Sequence, residues 1–98
     1  MKEVISKLQK AFENRLRLGV MSILMVQEEV DFKFLKEKLN ATDGNLASHT
    51  TALEKAGYIA IKKQFIGKKP NTTFKATAEG RQAFKEHLKA LEELIKNI

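Results

Sequence analysis

The apolar residues of this 98-residue chain change period twice, which narrows the possible folds more than any other feature. Helical spacing runs from the first residue to Ala56, alternation takes over between Tyr58 and Thr77, and helical spacing then returns to the C-terminus. Amphipathic helices repeat near 3.6 residues and half-buried strands at two. The predicted order is therefore helix, helix, helix, hairpin, helix. A chain of this length has room for one domain, taken here as residues 1–98, mainly α with one β-hairpin.

Met1, Ile5, Leu8 and Phe12 step by four, three and four, and Leu16, Val20 and Ile23 continue the stripe. This spacing predicts a first helix over residues 1–26, with Gly19 as a soft spot. Asp31 is a good N-cap for a second helix, and Val30 with Leu35 makes a hydrophobic staple. Phe32, Leu35 and Leu39 face inward, and Asn40-Ala41 forms a turn. A third helix starts at Thr42 and runs to Ala56, with Gly57 as its left-handed C-cap. Leu46, Thr50, Leu53 and Ala56 make its buried stripe. Asn45, Ser48, His49, Thr51 and Ala52 leave a small, polar outward face. Two short helices joined by a tight turn suggest a helix-turn-helix.

In Tyr58–Ile66, the residues Ile59, Ile61 and Phe65 alternate onto one face, interrupted by Lys63; in Thr72–Thr77, Phe74 and Ala76 do the same. Gly67-Lys68-Lys69-Pro70-Asn71 between them has turn chemistry and gives the hairpin a cationic tip. Thr77 caps a last helix, whose first turn Gly80 weakens. Phe84, Leu88, Leu91, Ile95 and Ile98 then follow heptad spacing. The first helix carries a comparable stripe in Ile5, Leu8 and Phe12. One small domain cannot obviously bury both, so these eight residues are the expected homodimer interface.

Charge points to the partner. Eighteen Lys and Arg against twelve Asp and Glu give +6, and residues 40–75 hold six bases and two acids of that total. A basic middle favours a polyanion. The absence of cysteine excludes disulfides, thiolate metal sites and cysteine catalysis. His49 and His87 have no metal-ligand spacing, and adjacent Ser48 and His49 point in different directions on a helix. With no Gly-rich phosphate loop and no paired-acid motif, a binding protein without cofactor or metal is expected, not an enzyme. The run Leu18–Val26 is too short to cross a bilayer, and no targeting signal opens the chain, so a cytoplasmic protein is expected.

Thr42–Ile59 (TDGNLASHTTALEKAGYI) resembles the recognition helix of winged-helix regulators of the MarR/ArsR type. The closing Leu-Glu-Lys-Ala-Gly-Tyr-Ile is especially similar. Phe65–Thr72 and Thr77–Arg81 extend the resemblance to a small one-domain subgroup, over roughly residues 14–90. The resemblance implies a winged helix-turn-helix acting as a dimeric double-stranded DNA-binding regulator. The third helix would lie in the major groove, the hairpin would be a wing on the backbone, and the terminal helices would hold the dimer. On this reading Asn45, Ser48, His49 and Thr51 meet base edges. Thr42 and Gly44 lie where free backbone N–H groups can meet a phosphate. Lys62, Lys63, Lys68 and Lys69 are the wing's phosphate contacts, and Asp43 serves the helix dipole. The alternative is a winged helix that docks an acidic protein within a larger complex. No residue announces a small-molecule effector.

Overall fold

The computed structural model describes residues 1–97. Five helices and three strands follow one another: α1 (Lys2–Ser6), a 3-10 turn (Lys10–Phe12), α2 (Arg15–Val26), β1 (Val30–Asp31), α3 (Phe32–Leu39), α4 (Asp43–Lys55), β2 (Ile59–Ile66), β3 (Lys69–Ala76) and α5 (Ala78–Lys96). Among these residues no helix is long and apolar enough to cross a membrane.

The caps fall where side-chain chemistry puts them. Asp31 Oδ1 accepts from Phe34 N at 2.8 Å, Thr42 Oγ1 from Asn45 N at 3.2 Å, and Thr77 Oγ1 from Gly80 N at 2.9 Å. Each satisfies one of the donors a helix start leaves open. Asn40, at φ 49°, makes the left-handed turn between α3 and α4. Gly57, at φ +84°, reverses the chain after α4, a conformation that costs glycine little. Ala56, expected inside α4, is instead its exposed C-cap.

The long first helix is a correction. The α-helix stops at Ser6 and, apart from the 3-10 turn at Lys10–Phe12, helix resumes only at Arg15, where Asn14 Oδ1 accepts from the N–H groups of Leu16 and Arg17. Tertiary contacts outweigh helical spacing in between. Phe12 is buried against Tyr58, Phe84 and His87, with ring centroids 5.2, 5.2 and 5.3 Å away. Gln9 N donates to His87 Nδ1 at 3.0 Å, and Tyr58 Oη donates to Gln9 Oε1 at 3.2 Å. A regular helix through residues 7–14 could not make these bonds together.

One hydrophobic cluster joins α2, α3, α4, the sheet and α5, centred on Val20, Met21, Leu24, Leu35, Leu46, Leu53 and Phe74. Thr50 completes the inner face of α4 because its hydroxyl donates to the Leu46 carbonyl at 2.8 Å. The sheet is antiparallel in the order β1-β3-β2. β1 carries no signal in the sequence, and its two residues pair Val30 with Phe74 and Asp31 with Thr73. Register sets Ile59 opposite Ala76 and Ile61 opposite Phe74, over the core. Toward its tip the hairpin loses cover, and Phe65 through Pro70 are all exposed. Phe65 was expected on the inner face, but it lies past the core's edge and is 72% exposed.

The junction between hairpin and α5 is tight. Thr77 N donates to the Tyr58 carbonyl at 3.1 Å, and Thr77 Oγ1 to the Gly57 carbonyl at 2.7 Å. Gly80 packs directly on Tyr58, where any Cβ would collide with the backbone carbonyl. It is a close-approach glycine, not merely a weak first turn. Arg81 reaches back from α5 to the carbonyls of Leu24 and Met25, closing the C-terminal end of α2.

The expected dimer seam divides. Phe12 and Phe84 are corrected out of it, since both are buried in the chain's own core. The core face of α5 is Gly80, Ala83, Phe84, His87 and Ala90, one step round from the heptad line. Leu8 is half-buried, while Ile5, Leu88, Leu91 and Ile95 stay exposed. Ile98 lies outside the described residues.

Candidate nucleic-acid interface

α4 is held by Leu46, Thr50 and Leu53, all buried, which forces its other side to solvent. Thr42, Gly44, Asn45, Ser48 and Thr51 are exposed there, and His49 is half-buried at its margin. No side chain rises above the backbone at Gly44, where even a Cβ would meet open space. The face is small and polar, as the sequence indicates.

Asp43 is accounted for by a partner. Lys36 Nζ lies 2.7 Å from Asp43 Oδ1, across the turn between α3 and α4. Both groups are exposed, so the pair adds little stability. It does offset a carboxylate that would otherwise repel an anion at the start of α4.

Two clefts flank the face. The first, about 530 Å³, separates α4 from the hairpin and is lined by Thr51 and Glu54 on one side and by Lys63 and Thr72 on the other. The second, about 590 Å³, lies at the other end of α4. Thr42, Asn45 and His49 line it together with Arg15 from α2 and Lys38 from α3.

The four wing lysines are all exposed but do not form one patch. Lys63 shares the cleft face with Ile61, because alternate residues of a strand share a side. Lys62 alternates to the opposite face, and so does Lys69, which pairs with Ile66. Lys68 sits in the two-residue turn with Gly67. The wing thus carries positive charge on both faces and at its tip, an arrangement suited to a hairpin with polyanion on each side. Phe65 and Ile66, both largely exposed, lie among these lysines.

α2 contributes two arginines to this surface that were not among the expected site residues. Arg15 lines the second cleft, and Arg17 Nε donates to His49 Nδ1 at 3.0 Å. The signal was Asn14, a strong N-cap type ahead of Arg-Leu-Arg-Leu, hidden by reading residues 1–26 as one helix. His87 is far from this surface, buried beside Phe12 and Phe84, and burial lowers its pKa against the opposing charge of Glu13. Among the described residues no group of three or more His, Asp or Glu could hold a metal ion.

A helix-turn-helix formed by α3 and α4, followed by a hairpin packed beside α4, is a winged helix-turn-helix. The chain belongs to the winged helix DNA-binding domain family, whose model matches residues 16–95. It is 40% identical over 89 residues to an uncharacterised protein of Methanocaldococcus jannaschii, covering 91% of this chain and 97% of that one. Among solved structures, the transcriptional regulator homologue protein of Pyrococcus horikoshii OT3 superposes with a TM-score of 0.88 at 30% identity, over 99% of this chain and 97% of that one. A MarR-like transcription regulator of Bacillus cereus shares the fold at 19% identity, with a TM-score of 0.71 over 98% of this chain and 71% of that one. The fold is the one these transcriptional regulators share.

Proposed function

We propose that the chain is a transcriptional regulator that binds double-stranded DNA sequence-specifically as a homodimer. The observation that carries this reading is the exposed polar face of α4, flanked by clefts that carry Arg15 and Lys38 at one end and Lys63 at the other. A small polar helix face can enter the major groove without obstruction, while flanking cations hold the phosphates on each side. Asn45, Ser48, His49 and Thr51 are the reading residues, and Thr42, Gly44, Lys62, Lys63, Lys68 and Lys69 the backbone contacts. Dimerisation uses the exposed stripe of Ile5, Leu88, Leu91 and Ile95 on α1 and α5, which pack together at the side of the molecule. A twofold pair would present two reading helices to two half-sites.

The test is selection of bound sequences from a random duplex pool, with wild type beside Asn45→Ala and Ser48→Ala. The expected result is an enriched motif whose preferences shift in each variant, while non-specific affinity stays nearly constant. A lost base contact costs on the order of 1–3 kcal/mol. Weak binding with no enriched motif, from a protein that is monomeric by light scattering, overturns this reading in favour of a docking module for an acidic protein.

A further inference from the structure

We infer that Arg17 is a positioning residue for His49, fixing the imidazole as the tautomer with its proton on Nε2, so that α4 offers the major groove a hydrogen-bond donor there. This rests on the DNA-binding reading above. The starting observation is the 3.0 Å bond from Arg17 Nε to His49 Nδ1. A guanidinium has donors only and stays charged, so Nδ1 must supply the lone pair. A neutral imidazole carries one proton, which is thereby assigned to Nε2.

The geometry keeps this arrangement in place. Arg17 stands in the first turn of α2, where its own N–H is held by Asn14 Oδ1 at 3.1 Å. His49 stands one turn beyond Asn45 on α4, and the two line the same basic cleft as Arg15 and Lys38. Nε2 has no partner within the chain among the described residues. Among the described residues no buried side-chain nitrogen or oxygen is left without a partner, so Nε2 is not sealed away from solvent.

A histidine on a reading helix is ambiguous in principle, because its outward nitrogen can donate or accept. The Arg17 bond removes the ambiguity. In the major groove a lone donor finds acceptors on guanine (N7 and O6), thymine (O4) and adenine (N7), but cytosine presents only its amino donor. His49 should therefore discriminate against cytosine at the position it faces, with guanine preferred for its two adjacent acceptors. The choice is made by a residue on another helix that need not touch a base.

The experiment has two readouts. Long-range proton–nitrogen correlation spectra of the free protein report the His49 tautomer in wild type, Arg17→Met and Arg17→Lys. Selection from a random duplex pool reports base choice for the same proteins and for His49→Ala, with circular dichroism confirming that each is folded. The expected result is a single tautomer in wild type, protonated at Nε2, and mixed tautomers in Arg17→Met. One motif position should relax by about fivefold to tenfold in both Arg17→Met and His49→Ala, the loss of roughly one hydrogen bond. Arg17→Lys, which keeps the charge but lacks the fixed fork, should relax the same position. A wild-type ring protonated on Nδ1, or present in both forms, overturns the inference. So does a fixed tautomer with motifs unchanged in Arg17→Met and His49→Ala. If wild type enriches no motif although the tautomer is fixed, the DNA-binding reading fails and takes the base choice with it.

Discussion

Gly80 shows how much one absent side chain can decide. Its hydrogen lies against the Tyr58 carbonyl, so Gly80→Ala must push α5 away from the end of the hairpin. Gly44, also helical, has open space around it. Overpacking costs about 1–3 kcal/mol, and relief of helical glycine gains up to about 1 kcal/mol. The atoms met at Gly80 are backbone and cannot turn aside, which puts its cost at the upper end of that range, so thermal unfolding followed by circular dichroism should place Gly80→Ala about 5 °C or more below wild type, and Gly44→Ala at or above it. Equal melting temperatures for the two would show that the close approach carries no strain. His87 supplies a second residue-level expectation, in acid. Burial lowers its pKa below the ordinary value of about 6.5, and the Glu13 charge offsets part of this. The neutral ring accepts from Gln9 N, and the protonated ring must give up that bond or be exposed. A lowered folded-state value means the contribution is complete above about pH 6.5 and is lost as pH falls through the folded value. The urea midpoint should drop between about pH 7.5 and about pH 5. His87→Gln, which keeps an acceptor but cannot charge, should lose less over the same range.

At the scale of elements, the wing invites the sharpest measurement. Lys68 is at its tip and Lys69 on the face turned from α4, so neither supports the fold. Lys68→Ala with Lys69→Ala should leave stability unchanged and weaken binding to all duplexes alike. With one phosphate per lysine, the slope of log K against log[salt] becomes shallower by roughly 1.8. An unchanged slope removes the tip from the interface. What could be read of these elements beforehand depended on how local the cause was. Asp31, Thr42 and Thr77 announced helix starts because a cap needs only its own side chain and the next turn. Gly57 announced a helix end for the same kind of reason. Residues 7–14 gave the wrong signal because their path is set by His87 and Tyr58, which are distant in sequence. Phe65 misled because alternation assigns a side of the strand but not how far the core extends beneath it. β1 escaped because two residues carry no period. The outward face of α4 was legible through its small polar residues, but Arg15 and Arg17 were not, since their relevance comes from how α2 packs beside α4.

For the whole molecule, the radius of gyration is 14.7 Å, against about 13 Å for a compact domain of 100 residues. The excess agrees with a hairpin and a terminal helix whose outer parts lack cover within the chain. Leu91 and Ile95 are exposed in the single chain, so charging them should not unfold it. In the proposed dimer the same charges would be buried without partners, in both subunits, at a cost of several kcal/mol. Leu91→Lys with Ile95→Lys should therefore halve the mass seen by light scattering while leaving the circular dichroism spectrum intact. A wild type already monomeric at tens of micromolar, roughly the working range of that measurement, overturns the dimer.

The bonds from Thr77 to Gly57 and Tyr58, with Gly80 seated on the same carbonyl, clamp the first turn of α5 to the chain that leaves α4. No flexible joint separates the part proposed to pair from the part proposed to read. Two such subunits would behave as a rigid caliper whose jaws are set before DNA arrives. Inserting about half a helical turn, roughly 5 base pairs, between half-sites would rotate one of them to the far side of the duplex. A hinged dimer could follow it, whereas one joined this way would not. Recognition would then depend on the gap between half-sites as much as on the bases inside them.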